Sequence, residues 1–262
     1  MKKIYIKKVL GKTLANLLIP YLTTVLNERK NTYEEKNSLI LKAARFVACE
    51  MIEGDYLEFG VYQGASYIKA YHALKKQFED RMSLHIGGDA EEMHQKTRQV
   101  IWDNMRFFAF DSFQGLPKLT PEDSGTNDLT QGQYAYPVEQ FVENTTNAGM
   151  PSDKSVIVEG WFEDICIAET AQKHKLKKAS IIWIDADLYS STKSVLKFII
   201  PFLQDGTVII FDDWFSFRGS PYLGVQKAFN EWKNEHCLEF SFNEYQKEEW
   251  KRISFIASKI PK

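Results

Sequence analysis

The sequence predicts one doubly wound α/β domain, on three observations. Short apolar runs alternate with helical patterns along most of the chain, the signature of a parallel sheet with crossover helices. Those runs are continuous rather than alternating, as strands covered on both faces are. Run after run also ends in a carboxylate, at Glu58, Asp111, Asp185, Asp212 and Asp213.

The elements follow in order. Leu39, Leu41, Ala44, Val47 and Met51 sit at near-helical spacing within 33–53, ending at Gly54. Tyr56–Phe59 reads as a strand that stops at Gly60 and opens into a helix over Ser66–Lys76. Further strands are expected over Arg106–Phe110, Ser155–Val158, Ser180–Ile184 and Thr207–Phe211. A helix over Ser190–Leu203, with Gly206 beyond its end, joins the last two, and Gly224–Glu235 is helical. Two closing strand runs, Glu239–Phe242 and Arg252–Ser258, are joined by a polar turn. Residues 77–105 and 113–150 break the alternation and read as long polar connections, of the kind that form lids or binding loops.

Composition narrows the class. The 262 residues are 44% hydrophobic and 26% charged, enough to bury a core without disulfides. The net charge of −2 argues against a dedicated nucleic-acid binder. Three widely spaced cysteines, Cys49, Cys166 and Cys237, form no metal pair and suit a reducing cytoplasm. The start, Met1-Lys2-Lys3, is followed by apolar residues broken by Lys12, Asn16 and Pro20, with no uninterrupted apolar core for a leader or a spanning helix. Residues 1–31 are expected to be a helical extension on the body, or a basic amphipathic helix for a membrane or a partner subunit.

In a doubly wound sheet, the carboxyl ends of the strands line one crevice where ligands bind. Carboxylates gathered there point to a positively charged partner, the alternative being that some cap the following helices. Glu58-Phe-Gly60-Val-Tyr62-Gln-Gly64-Ala-Ser66 is a strand, an acid, then Gly-x-x-x-Gly before a helix, which lets backbone approach a ligand closely. It is not the GxGxxG fingerprint, and Glu58 beside it favours an amine or hydroxyl over phosphate. Asp111 is placed like the acid that holds ribose hydroxyls in nucleotide-binding α/β folds. Asp185 and Asp187, two apart on extended chain, face one site. Asp212 and Asp213 join them only if their strand ends there. An all-oxygen cluster prefers a hard ion such as magnesium or manganese, and a remaining carboxylate can act as general base. Trp214, Phe215, Phe217 and Tyr222 are either core or acceptor pocket, and Arg218 is a candidate contact for a polar acceptor group.

Five segments resemble the macrocin-type O-methyltransferases, a class I S-adenosylmethionine-dependent family. Glu53–Ser66 is similar to the family's first motif, and Phe110-Asp-Ser-Phe-Gln-Gly-Leu-Pro117 to its F-D-S-F-x-G-L-P signature. Gly160-Trp-Phe-Glu-Asp164 resembles G-x-F-x-D-T, with Ile165 in place of threonine. Asp185-Ala-Asp-Leu-Tyr-Ser-Ser-Thr192 and Asp212-Asp213 resemble its metal motifs, and Thr32-Tyr33 stands where Thr-Met is usual. The likeness runs from about residue 32 to 235. It implies a Rossmann-like sheet of seven strands, mostly parallel, with the terminal pair antiparallel. It implies a methyltransferase domain over 32–262, with insertions near 77–105 and 113–150.

By the same resemblance, Glu58, Gly60, Gly64 and Ser66 hold the methionine end of S-adenosylmethionine, and Tyr62 belongs to the same cofactor-binding segment. Asp111 binds the ribose, and Ser112, Trp161 and Phe162 lie near the adenosine. Asp185, Asp212 and Asp213 ligate Mg2+, and Asp187 is the base. The implied acceptor is a hydroxyl of a sugar or phenolic small molecule, and the implied assembly a homodimer or larger. A metal-dependent glycosyltransferase using Asp-x-Asp, or a non-catalytic cofactor-binding protein, are the competing readings.

Overall fold

The structure is a computed structural model that describes residues 38–83, 88–123 and 129–261. The expected extension over 1–31 lies outside the described residues. From Leu39 on, the chain forms one unit. Its elements are α1 (Leu39–Glu50), β1 (Asp55–Phe59), α2 (Ala65–Met82), α3 (Asp89–Asn104), β2 (Phe107–Asp111) and α4 (Val138–Asn147). There follow β3 (Ser155–Glu159), α5 (Phe162–Ile165), α6 (Ala168–Lys173), β4 (Ala179–Ile184) and α7 (Tyr189–Ile199). The chain closes with β5 (Val208–Phe211), α8 (Gly224–Glu235), β6 (Phe240–Glu248) and β7 (Arg252–Lys259).

The seven strands form one sheet in the order β3-β2-β1-β4-β5-β7-β6. The first five are parallel, and β7 runs antiparallel to both β5 and β6. Successive side chains point to opposite faces, so each strand feeds two cores. Leu57, Phe59, Ile182, Ile184, Ile209 and Phe211 meet Val195, Ile199 and Phe229 from α7 and α8. Tyr56, Ile181, Trp183, Val208 and Ile210 meet Val47, Tyr67, Tyr71 and Leu74 from α1 and α2 on the other face. The continuous apolar runs are thus buried on both sides.

Several elements differ from the sequence expectation for identifiable reasons. Residues 77–105 are largely helical rather than a loop: α2 continues to Met82, and α3 fills 89–104 with Arg98, Ile101 and Trp102 turned inward. The inward stripe is only three residues wide, so the polar majority masked it. Within 113–150, α4 buries Phe141 and Thr145, and the described residues before it are mostly irregular. The α-helix of α7 stops at Ile199 and passes into a 3₁₀ turn at Ile200–Phe202, because Pro201 lacks the N–H that would continue it. β6 extends well past Phe242, because an edge strand tolerates the polar residues Asn243–Glu248. Trp214 is core: its ring lies 5.2 Å from Phe211 and Phe229 and 5.1 Å from Phe255. No helix among the described residues is long and apolar enough to cross a membrane.

Candidate active site

The strand order reverses between β1 and β4, and a cavity of about 330 Å3 opens there, outside the carboxyl ends of the strands. Backbone hydrogen bonds tie those ends together. Gly60 N–H donates to Phe110 O, Asp185 N–H to Phe59 O, and Asp212 N–H to Ile184 O. Gly60 has φ 87°, and a Cβ there would fall 2.0 Å from Asp185 O, so only glycine lets β1 turn this close to β4.

The cavity is lined by Gly60, Tyr62, Asp111, Ser112, Trp161 and Phe162, among others. Asp111 is fixed there as the acceptor of three backbone N–H groups, from Val61 at 2.8 Å, Tyr62 at 3.2 Å and Phe113 at 2.7 Å. Tyr62 is 43% exposed on the rim, and its ring lies 5.8 Å from that of Tyr134. Glu58, Gly64 and Ser66 are not on the cavity wall but behind it. Glu58 is fully buried, and its carboxylate accepts the hydroxyls of Ser66 and Tyr56. Burial raises its pKa to about 8, against the lowering effect of those two donors.

Asp185, Asp187 and Lys251 line the same cavity. A carboxylate oxygen from each of Asp185, Asp187 and Asp213 lies within 4.8 Å of the others. Burial, then the charges of Asp212 and Asp213, holds the Asp185 pKa well above the carboxylate range. Burial and Asp213 push that of Asp187 up in the same sense. Asp213 Oδ1 accepts from Lys251 Nζ at 2.8 Å and Ser216 Oγ at 3.2 Å, while the buried Oδ2 has no partner.

Asp212 lies apart from the three. It accepts from Arg252 Nε and, at 2.9 Å, from Lys251 Nζ. Phe211 is in register with Ile253, so the antiparallel pairing of β5 and β7 sets Asp212 beside Arg252. Nothing local in the sequence marks Lys251 or Arg252 for this site; only the sheet order brings the start of β7 to the end of β5.

A further residue escaped the sequence reading. Asp123, fully buried, accepts from Thr120 N–H at 3.0 Å and Oγ1 at 2.7 Å, and from Ser190 N–H at 3.1 Å and Oγ at 2.9 Å. It caps α7, whose own N-cap, Leu188, has no side-chain bond, and ties the 112–123 loop to that helix. Burial works against its ionised form, but the donors of Thr120 and Ser190 outweigh that and hold its pKa below the usual value.

A model of the family described as Macrocin-O-methyltransferase (TylF) matches residues 87–247, well over half of the chain. The chain belongs to this macrocin O-methyltransferase family. The matched span includes Asp111, Trp161, Asp185, Asp187, Asp212 and Asp213, while Glu58–Ser66 precedes it. The 8-demethyl-8-(2,3-dimethoxy-alpha-L-rhamnosyl)-tetracenomycin-C 4'-O-methyltransferase of Streptomyces olivaceus is 26% identical over 173 residues, 64% of this chain and 56% of its own length. Mycinamicin III 3''-O-methyltransferase of Micromonospora griseorubida is 27% identical over 170 residues, 62% of this chain and 56% of that protein. The match therefore spans little more than half the length of these curated relatives.

Solved structures share the fold. The O-methyltransferase NovP superposes with a TM-score of 0.59 at 16% identity, covering 85% of this chain and 79% of its own. The calicheamicin methyltransferase CalS11 gives 0.59 at 20% identity, covering 97% and 90%. The macrocin O-methyltransferase family member described here therefore has the class I methyltransferase fold, with its cavity at the switch point of the sheet.

Proposed function

We propose that this chain is an S-adenosylmethionine- and magnesium-dependent O-methyltransferase acting on a hydroxyl of a sugar or phenolic small molecule. The observation that carries this reading is one cavity lined by two chemically distinct sets of residues in a member of this family. Gly60, Asp111, Trp161 and Phe162 line it together with Asp185 and Asp187. Its volume of about 330 Å3 suits a small ligand. The relatives named for O-methylation, one of a rhamnosyl tetracenomycin and one of mycinamicin III, support a sugar-bearing acceptor.

The donor set fits a hard divalent ion. Three carboxylates converge, and the buried Asp213 Oδ2 lacks a partner, a cost that a cation would remove. In this reading Asp185 and Asp213 hold the ion, while Asp212, paired with Arg252, stands beside them. The Asp111 carboxylate, pinned by three amides, presents its remaining lone pairs to the ribose, and Trp161 and Phe162 flank the adenosine. Glu58 acts from behind the wall, fixing Ser66 at the start of α2 and with it the Gly60–Gly64 loop.

S-adenosylmethionine supplies an electrophilic methyl group on a sulfonium, and magnesium a positive charge that lowers the pKa of a neighbouring hydroxyl. The chain's part would be to align donor and acceptor, in-line transfer requiring the acceptor oxygen within about 3–3.5 Å of the methyl carbon as the C–S bond breaks and S-adenosylhomocysteine leaves. Asp187 would take the acceptor proton on its carboxylate, in a setting where burial and Asp213 favour the protonated form. The free thiols of Cys49, Cys166 and Cys237 support a reducing compartment such as the cytoplasm. Homodimer formation is carried over from the family resemblance.

Calorimetry with S-adenosylhomocysteine against uridine diphosphate tests the cofactor; binding of the nucleotide alone would favour a glycosyltransferase. Methyl transfer from labelled S-adenosylmethionine to a panel of glycosides and phenols, with and without EDTA, tests the reaction. Full turnover in EDTA would remove magnesium from the account.

A further inference from the structure

We infer that Lys251 is a built-in cation that keeps the place of the divalent ion, so that the ion binds only by displacing it. The inference rests on the metal reading proposed above. Lys251 lies in the turn between β6 and β7, and its Nζ bridges Asp212 Oδ2 at 2.9 Å and Asp213 Oδ1 at 2.8 Å. An ion seated among Asp185, Asp187 and Asp213 would share Asp213 with this ammonium. Two cations a few ångströms apart in a part-buried site repel strongly, so one excludes the other. The two carboxylates differ in what they need. Asp212 retains Arg252 when Lys251 leaves. Asp213 accepts only from Ser216 besides Lys251, and its buried Oδ2 has no hydrogen-bond partner. The lysine also has an exit, because its side chain is 32% exposed and borders the cavity.

Two consequences follow. The apparent affinity for the ion is reduced by the fraction of molecules in which Lys251 sits on Asp213. Loading the ion also frees the β6–β7 turn from its tie to the end of β5.

The test is titration calorimetry of Mn2+ into the full chain, comparing wild type, Lys251→Met, Lys251→Arg and Lys247→Met. Lys251→Met is expected to bind Mn2+ about tenfold tighter, since a charge-assisted bond no longer competes. Lys251→Arg is expected to stay near wild type. So is Lys247→Met, because Lys247 pairs with Glu244 at 2.9 Å and not with Asp212 or Asp213. Mn2+ binding by Lys251→Met no tighter than by wild type overturns the inference and leaves the metal reading intact. Absence of binding in every protein overturns both. Should Lys251→Met fail to fold, Lys251→Gln and hydrogen exchange on the wild type carry the test. Amides 249–253 are expected to lose protection when Mn2+ is added, and unchanged protection overturns the inference.

Discussion

Asp212 and Asp213 are neighbours in sequence with opposite surroundings. Asp212 is 3% exposed and neutralised by Arg252 and Lys251, whereas Asp213 has an unpartnered buried oxygen and lies with two more carboxylates. Replacing Asp212 with Asn removes the carboxylate shared by two part-buried cations, leaving Arg252 with Glu248 at 3.9 Å and Lys251 with Asp213. The expected loss of stability is on the order of 3 kcal/mol, read by urea denaturation. Asp213→Asn removes a charge from a repelling group, so its stability should hold while Mn2+ affinity falls at least tenfold. Glu58 offers a pH test. Its folded pKa of about 8 stands above the unfolded value near 4.5, so the folded state holds the proton more tightly. The folded protein therefore binds more protons between those values, and this group's contribution to stability is full below about 4.5 and falls as pH rises toward 8. In melting experiments across that window, Glu58→Gln should flatten the decline relative to wild type; parallel curves would refute the assignment.

At the scale of elements, the site depends on how loops are pinned to strand and helix ends. Gly60→Ala would place a methyl 2.0 Å from the Asp185 carbonyl, so β1 and β4 would have to separate at the cavity. Loss of S-adenosylhomocysteine binding, together with a lowered melting temperature, is expected. Asp123→Ala withdraws the cap from α7 and the anchor of the 112–123 loop. A cost of about 1–2 kcal/mol in thermal unfolding is expected from the cap alone. Cofactor affinity should fall with it, because Ser112, Leu116 and Thr120 of that loop line the cavity. How much of this could be read in advance differs from one element to another. The runs Tyr56–Phe59, Ser180–Ile184 and Thr207–Phe211 announced their strands because burial on both faces demands unbroken apolarity. α3 did not announce itself, since only Arg98, Ile101 and Trp102 face inward.

For the whole molecule, two cores sandwich one sheet, and the cavity lies where the strand order reverses. A ligand binding there stabilises the folded state by mass action. S-adenosylhomocysteine at about a hundred times its dissociation constant should add about 2.7 kcal/mol, raising the melting temperature by roughly 5–10 °C. No shift at saturating concentration would contradict the proposed cofactor.

The sequence by itself determined the alternation of strands and helices and the acids at the strand ends. Periodicity and terminal residues are local properties, so they are written in consecutive positions. Only the tertiary structure decided which acids meet one another and which meet cations. That sorting depends on β7 pairing antiparallel with β5, which brings Lys251 and Arg252 to Asp212 and Asp213 from about forty residues away. Contacts of that range carry no periodic signal, and they set the charge balance on which the proposed chemistry depends.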